Sequence, residues 1–145
     1  MTPEKEKNRT LDLKEIRSQE LRIATATLYQ GNVIAFRFMD DVVLQVEDVI
    51  ELSQTNVAMT GDNPYFTIVV TGQRQDITQE AREYDFYKEL GRKPTCVAEA
   101  VIVHDLPTRI VVDFYYKLRR FPYPAKVFAN EEQALEWFRT INPNL

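Results

Sequence analysis

The chain has 145 residues, a net charge of −4 from 18 Lys+Arg against 22 Asp+Glu, and 44% hydrophobic residues. That length has room for one core rather than two, and that composition excludes global disorder. So mildly acidic a chain lacks the clustered cations that displace phosphate counterions, which argues against nucleic acid as a partner.

Residues 1–20 set Lys5, Lys7, Arg9, Lys14 and Arg17 against Glu4, Glu6, Asp12, Glu15 and Glu20, a balanced polyampholyte rather than a basic arm. Leu11, Leu13 and Ile16 suggest a short docking helix at the end of this charged tail, with one α/β domain expected over 21–145. Met1–Glu6 carries charges where a signal peptide needs an apolar segment, and no apolar run approaches the ~20 residues that span a bilayer. The expected compartment is the cytoplasm.

Two strand-like runs, 21–29 and 32–39, flank Gln30-Gly31-Asn32 and read as an antiparallel hairpin. A helix is expected over 46–58, where Val46, Val49, Ile50, Ser53 and Val57 share one face. The apolar, β-branched run 65–71 reads as a strand covered on both faces. Thr78 is placed to cap a helix over 78–90, closed by Gly91 and Pro94. A second buried strand is expected over 96–103; it carries Cys96, the only cysteine, which excludes an internal disulfide or a thiolate zinc site and reads as a small hydrophobe. A helix over 106–119 follows, with Pro107 tolerated in its first turn. The rigid connector Phe121-Pro122-Tyr123-Pro124 leads to a short strand, 125–129. Asn130 then caps a final helix, 131–141, whose stripe is Ala134, Leu135, Trp137, Phe138 and Ile141. Strands alternating with helices in this order imply a mixed, mostly parallel sheet with an N-terminal antiparallel hairpin and four helices.

Asp76-Ile77-Thr78-Gln79-Glu80-Ala81-Arg82-Glu83-Tyr84, Ala98-Glu99-Ala100-Val101-Ile102-Val103 and the run from Tyr123 to Trp137 resemble SpoIIAA-like proteins of the STAS family known from Bacteroidetes-type bacteria. The resemblance covers about residues 21–142 and implies the STAS (SpoIIAA-like) fold. It implies two roles. Anti-sigma-factor antagonists of this family bind a kinase and are switched by a phosphorylated Ser near the start of the second helix, in an Asp-Ser context. The hydroxyl at that place here is Thr78, between Ile77 and Gln79, and the Asp-Ser pair is absent. Other SpoIIAA-like domains resemble CRAL-TRIO lipid-transfer domains, which implies an apolar small-molecule ligand.

In an open α/β sheet, ligands sit outside the carboxyl ends of the strands. The loops reaching that edge bring Arg74, Asp76, Thr78, His104, Asp105, Thr108 and Arg109 into one candidate ligand or partner region. Thr78 is the candidate phosphoacceptor. His104 beside Asp105 invites an acid–base reading, but neighbours on an extended chain point in opposite directions, and the capping reading of Thr78, Asp105 and Thr108 is simpler. With four glycines in the chain there is no phosphate cradle, and no nucleophile elbow or zinc-binding helix pattern occurs. No catalytic residue, cofactor or metal is expected. Lys117, Arg119 and Arg120 suit a helix C-terminus. Tyr115, Tyr116, Phe121 and Tyr123 form an aromatic group able to stack bases, line a lipid pocket, or serve as core or interface.

The last expectation concerns faces. On the helix over 106–119, Leu106, Ile110, Val111, Phe114 and Leu118 form the arc expected to meet the sheet. Val112 and Tyr116, with Phe86 and Leu90 on the preceding helix, are left as a second apolar surface, the candidate homodimer interface. The function expected is a non-catalytic STAS-like regulatory or protein-interaction module, with apolar-ligand binding as the alternative and an enzyme third.

Overall fold

Gly31 and Asn32 both adopt positive φ, 88° and 58°, and so reverse the chain between β2 (Ala24–Tyr29) and β3 (Val33–Phe38) in a three-residue loop. Glycine suits the first position because its φ of 88° strains any residue with a Cβ, and a Cβ there would also displace the Leu145 side chain, 2.5 Å away. The Asn32 amide donates to the Thr60 and Pro64 carbonyls, tying the hairpin to the end of the helix that follows it. The computed structural model describes residues 11–91 and 95–145. Residues 1–10 of the charged tail, and Pro94, lie outside the described residues.

The remaining elements, in chain order, are β1 (Glu15–Glu20), before the hairpin, and then β4 (Val43–Leu44), α1 (Val46–Thr60), β5 (Tyr65–Val70), β6 (Asp76–Ile77), α2 (Gln79–Glu83), α3 (Phe86–Glu89), β7 (Cys96–Ile102), α4 (Leu106–Leu118), β8 (Ala125–Phe128) and α5 (Glu131–Ile141). Six strands form one mixed sheet in the order β1-β2-β3-β5-β7-β8, antiparallel as far as β3 and parallel from β3 onward. β4 and β6 make a separate two-stranded parallel ladder. The mixed α/β class with an N-terminal antiparallel hairpin is as expected.

Three expectations need correction. The segment expected as a tail or docking helix contains β1, an edge strand exposed along its whole length, whose alternating charges discourage pairing with another chain. A strand with no apolar face leaves no periodic signal. Leu11 and Leu13, just before it, do dock, beneath α5. The helix expected over 78–90 is two helices, because Tyr84 and Asp85 are extended and the Asp85 carboxylate accepts from the Lys88 amide, starting a new helix. Among the described residues five helices therefore stand where four were expected.

The parallel strands advance in one direction across the sheet, so right-handed crossovers put α1, α2, α3 and α4 on one face. α5 follows the last strand and covers the other. There Ala134, Leu135 and Phe138 pack on Val33, Ala35, Phe66, Ile68, Ala98 and Ala100, with the Phe66 and Phe138 rings 4.6 Å apart. Arg37, on that same face of β3, is held by the Tyr29 hydroxyl at 2.8 Å and Glu131 at 2.5 Å. On the opposite face α1 covers Ala26, Leu28, Ile34 and Phe36 through Leu52 and Met59. Asp48 completes the start of α1: it accepts from the Gln45 amide and takes a bidentate pair from Arg22.

Candidate functional site

The rotation of α4 shapes the site. Of the arc expected to meet the sheet only Val111 does so, and the rest is turned out: Leu106, Ile110, Phe114 and Leu118 are 70%, 60%, 54% and 50% exposed. The inward arc is Thr108, Val111, Val112, Tyr115 and Tyr116. Polar bonds decide this. Asp105 caps the helix by accepting from the Thr108 amide at 3.1 Å, the Thr108 hydroxyl donates to the same carboxylate at 2.9 Å, and the Gln75 amide donates to that hydroxyl at 3.3 Å. Eight residues on, Tyr116 donates to Glu99 on β7. A helix pinned at both ends by buried hydrogen bonds cannot roll to hide its more apolar arc without leaving those groups unpaired.

Two tyrosines on the inward arc hold α4 off the sheet, and an apolar cavity of about 170 Å³ lies between them. Its floor is the helix-rich face of the sheet: Phe36 and Phe38 of β3, Thr67 and Val69 of β5, Glu99 and Val101 of β7. The period of two along β7 sends Ala98, Ala100 and Ile102 to the α5 side and Glu99 into the cavity. Val49, Leu52, Ser53 and Asn56 of α1 form one wall. The opposite wall is aromatic. Phe121 and Tyr123 are stacked 5.3 Å apart, Phe121 meets Tyr116 edge-on at 5.9 Å and Tyr115 at 6.1 Å, and the Tyr87 hydroxyl donates to that of Tyr123.

Glu99 is the one carboxyl in the strand Cys96–Ile102. Burial pushes it up to about 7, against the pull of the Tyr116 hydrogen bond. Among the described residues Tyr116 is its hydrogen-bond partner. Burial first, and then the Glu99 charge, raises Tyr115, Tyr116 and Tyr123. Burial also raises Cys96 to about 12, which leaves a poor nucleophile. Sequence reasoning passed over Glu99 by taking 96–103 as a buried strand without asking where its carboxyl goes. The signal was there: a carboxylate between Ala98 and Ala100 in a strand covered on both faces has nowhere dry to go except a cavity or a partner.

The candidate region at the carboxyl ends of the strands divides. Thr108 and Asp76 line the cavity rim. Thr78 is the cap of α2, its hydroxyl accepting from the Ala81 amide at 3.1 Å. Burial works against the Asp105 charge, yet the Thr108 hydroxyl and amide hold its carboxyl below the usual range. Arg74, at φ 54°, clasps Asp41 through two hydrogen bonds of 2.5 and 2.9 Å, away from the cavity. That loop lies against β3's exit because Gly72 has no side chain; a Cβ there would meet the Met39 carbonyl at 2.1 Å. Arg109 pairs with Asp113 along α4, and His104 is exposed at the end of β7. His104 and Asp105 therefore form no acid–base pair.

Three of the four residues expected as a dimer interface, Phe86, Val112 and Tyr116, face inward instead. Val112 is buried, Tyr116 is bonded to Glu99, and Phe86 lines the cavity beside Phe121; Leu90, at the end of α3, is half-buried. The reason is again the roll of α4, and for Phe86 the break between α2 and α3. Among the described residues no cluster of three His, Cys, Asp or Glu is placed to hold a metal ion, and no helix is long and apolar enough to cross a membrane.

A family described as a domain of unknown function, DUF7793, has a profile that matches residues 27–142, and the chain belongs to it. No curated protein matches. Among solved structures, the chain is similar to an uncharacterised protein of the DUF3478 family with a SpoIIAA-like fold from Shewanella loihica PV-4. The two are 13% identical over 86% of this chain and 94% of that one, with a TM-score of 0.50. The SpoIIAA-like fold is thereby shown.

Proposed function

We propose that this member of the DUF7793 family is a non-catalytic, STAS-like binding module of a bacterial cytoplasm that takes a small, largely apolar molecule between α4 and the sheet. One observation carries the reading: a cavity of about 170 Å³ is walled mainly by aromatic and aliphatic side chains, drawn from eight helices and strands and the 121–124 connector, with polar groups such as Glu99, Asn56 and Thr108 set among them. An apolar cavity of about 150 Å³ is enough for benzene, so this one takes a single ring with a short arm. The test is titration with neutral indole followed by amide NMR. Shifts should concentrate at Val101, Val112 and Tyr115, and Val112→Trp, which fills the space, should abolish them. Shifts scattered over the surface would refute the reading.

A second reading, a regulatory module acting through protein contacts, is favoured by the exposed ridge Leu106-Ile110-Phe114-Leu118 on α4. The occupant that fits best is a second copy. Two α4 helices crossing antiparallel across a two-fold axis would bury both ridges, with the Arg109–Asp113 pair of each copy at the edge of the contact. The cavity lies directly beneath this ridge, so a ligand that moves α4 changes the surface offered to a partner. In this reading phosphorylation at Thr78 would act by breaking or strengthening the cap of α2, next to the cavity-lining Ile77.

A further inference from the structure

We infer that the cavity selects an organic cation: a small molecule with an apolar or aromatic body and one protonated amine or quaternary nitrogen, held by Glu99 within the ring of Tyr87, Tyr115, Tyr116, Phe121 and Tyr123. The inference rests on the ligand-binding reading above and adds the charge of the ligand. Among the described residues lining the cavity, the ionisable acids are Glu99 and Asp76, and none is Lys, Arg or His. Arg119, on this side, is committed to Asp85 at 3.2 Å and lies in a separate depression behind Phe121. A fatty acid or any other anion would carry its charge into a site with two carboxyls and no counter-ion, a costly placement.

The geometry suits a cation in two ways. Glu99 has one oxygen engaged by the Tyr116 hydroxyl and projects from the sheet floor into the cavity, so the carboxyl is oriented before any ligand arrives. Around it, ring faces and edges converge from α3, α4 and the 121–124 connector, with Tyr115 and Tyr116 5.2 Å apart and Tyr116 and Phe121 5.9 Å apart. Aromatic faces carry the negative end of the ring quadrupole, which attracts ammonium groups most strongly where water is excluded. An ionised Glu99 in the empty cavity is an unpaired buried charge, and a bound cation removes that cost.

The experiment uses the full chain and three probes of one shape: 2-phenylethylamine, 2-phenylethanol and phenylacetate, titrated calorimetrically at pH 8. The expected order is amine, then alcohol, then acid, with the amine ahead of the alcohol by about tenfold or more. Glu99→Gln should bring amine and alcohol to equal affinity. Equal binding of amine and alcohol by the wild type, or tightest binding of phenylacetate, overturns the cation inference while leaving the cavity as a ligand site. Binding of none of the three overturns both. Should Glu99→Gln not fold, the wild-type order decides by itself. Tyr116→Phe, which keeps the carboxylate and the ring, should keep the preference for the amine.

Discussion

Glu99 makes stability depend on pH in a direction opposite to that of a paired surface carboxylate. Its folded-state value, about 7, lies above the ordinary 4.5, so the folded protein holds the proton more tightly than the unfolded chain. The favourable contribution is complete below about pH 4.5 and is lost as pH rises toward 7. Over that interval the loss is on the order of 3 kcal/mol. The other ionisable groups around it, Cys96, Tyr87, Tyr115, Tyr116 and Tyr123, are all shifted up by burial and stay neutral across this window. Urea melts of wild type and Glu99→Gln at pH 5 and pH 8 check this. The variant should gain on the wild type between the two pH values by an amount of that order, and an unchanged difference would show Glu99 to be solvated. Thr78 offers a smaller test. Its hydroxyl satisfies one amide of α2, and Thr78→Ala should cost about 1 kcal/mol in the same melts.

At the scale of elements, α5 and α4 show opposite relations between pattern and placement. Most of the stripe of α5 was legible because hydrophobicity alone orients the helix: Ala134, Leu135 and Phe138 are buried as spaced, Trp137 is half-buried against them, and Asn130 accepts from the Gln133 amide at 2.9 Å, whereas Ile141, expected in the stripe, is 43% exposed in the last turn. Phe138→Ala should destabilise by about 3–5 kcal/mol, measured by denaturant unfolding. On α4 the apolar count favours the arc through Leu106 and Phe114, and the structure turns it outward. Thr108, which looks like an ordinary first-turn residue, is 1% exposed and carries the bonds that set the roll. Thr108→Val keeps the shape and removes those bonds. Its unfolding midpoint should fall, and indole affinity should fall with it, since the roof of the cavity loses its anchor. Unchanged affinity would mean that α4 is held in place by its tyrosines alone.

For the whole molecule, the two edges of the sheet and the ridge on α4 determine how copies can meet. β1 is fully exposed and charged, and β8 is only four residues long with Pro124 before it, so neither edge invites strand addition. The ridge remains. Sedimentation at micromolar concentrations should show a dimer for the wild type and a monomer for Phe114→Glu, with the Arg82 side chain released from the Phe114 ring, 5.3 Å away. A monomeric wild type would overturn the homodimer reading. It would leave the cavity untouched, because Phe114 faces away from it.

Local pattern by itself determined the elements that bury a continuous face or begin with a strong cap: the hairpin at Gly31, the buried strands through Ile68 and Val101, and α5 behind Asn130. Those signals are contained in a few neighbouring residues, so no distant contact is needed to read them. The cavity and its carboxyl were decided only in three dimensions. Glu99 gains its environment from Tyr116, 17 residues away, and α4 gains its roll from Gln75, 33 residues before Thr108. Hydrophobic periodicity ranks the faces of a helix by apolar area. It cannot register a pair of buried hydrogen bonds whose loss would outweigh that area, and here those bonds are what open a space between helix and sheet.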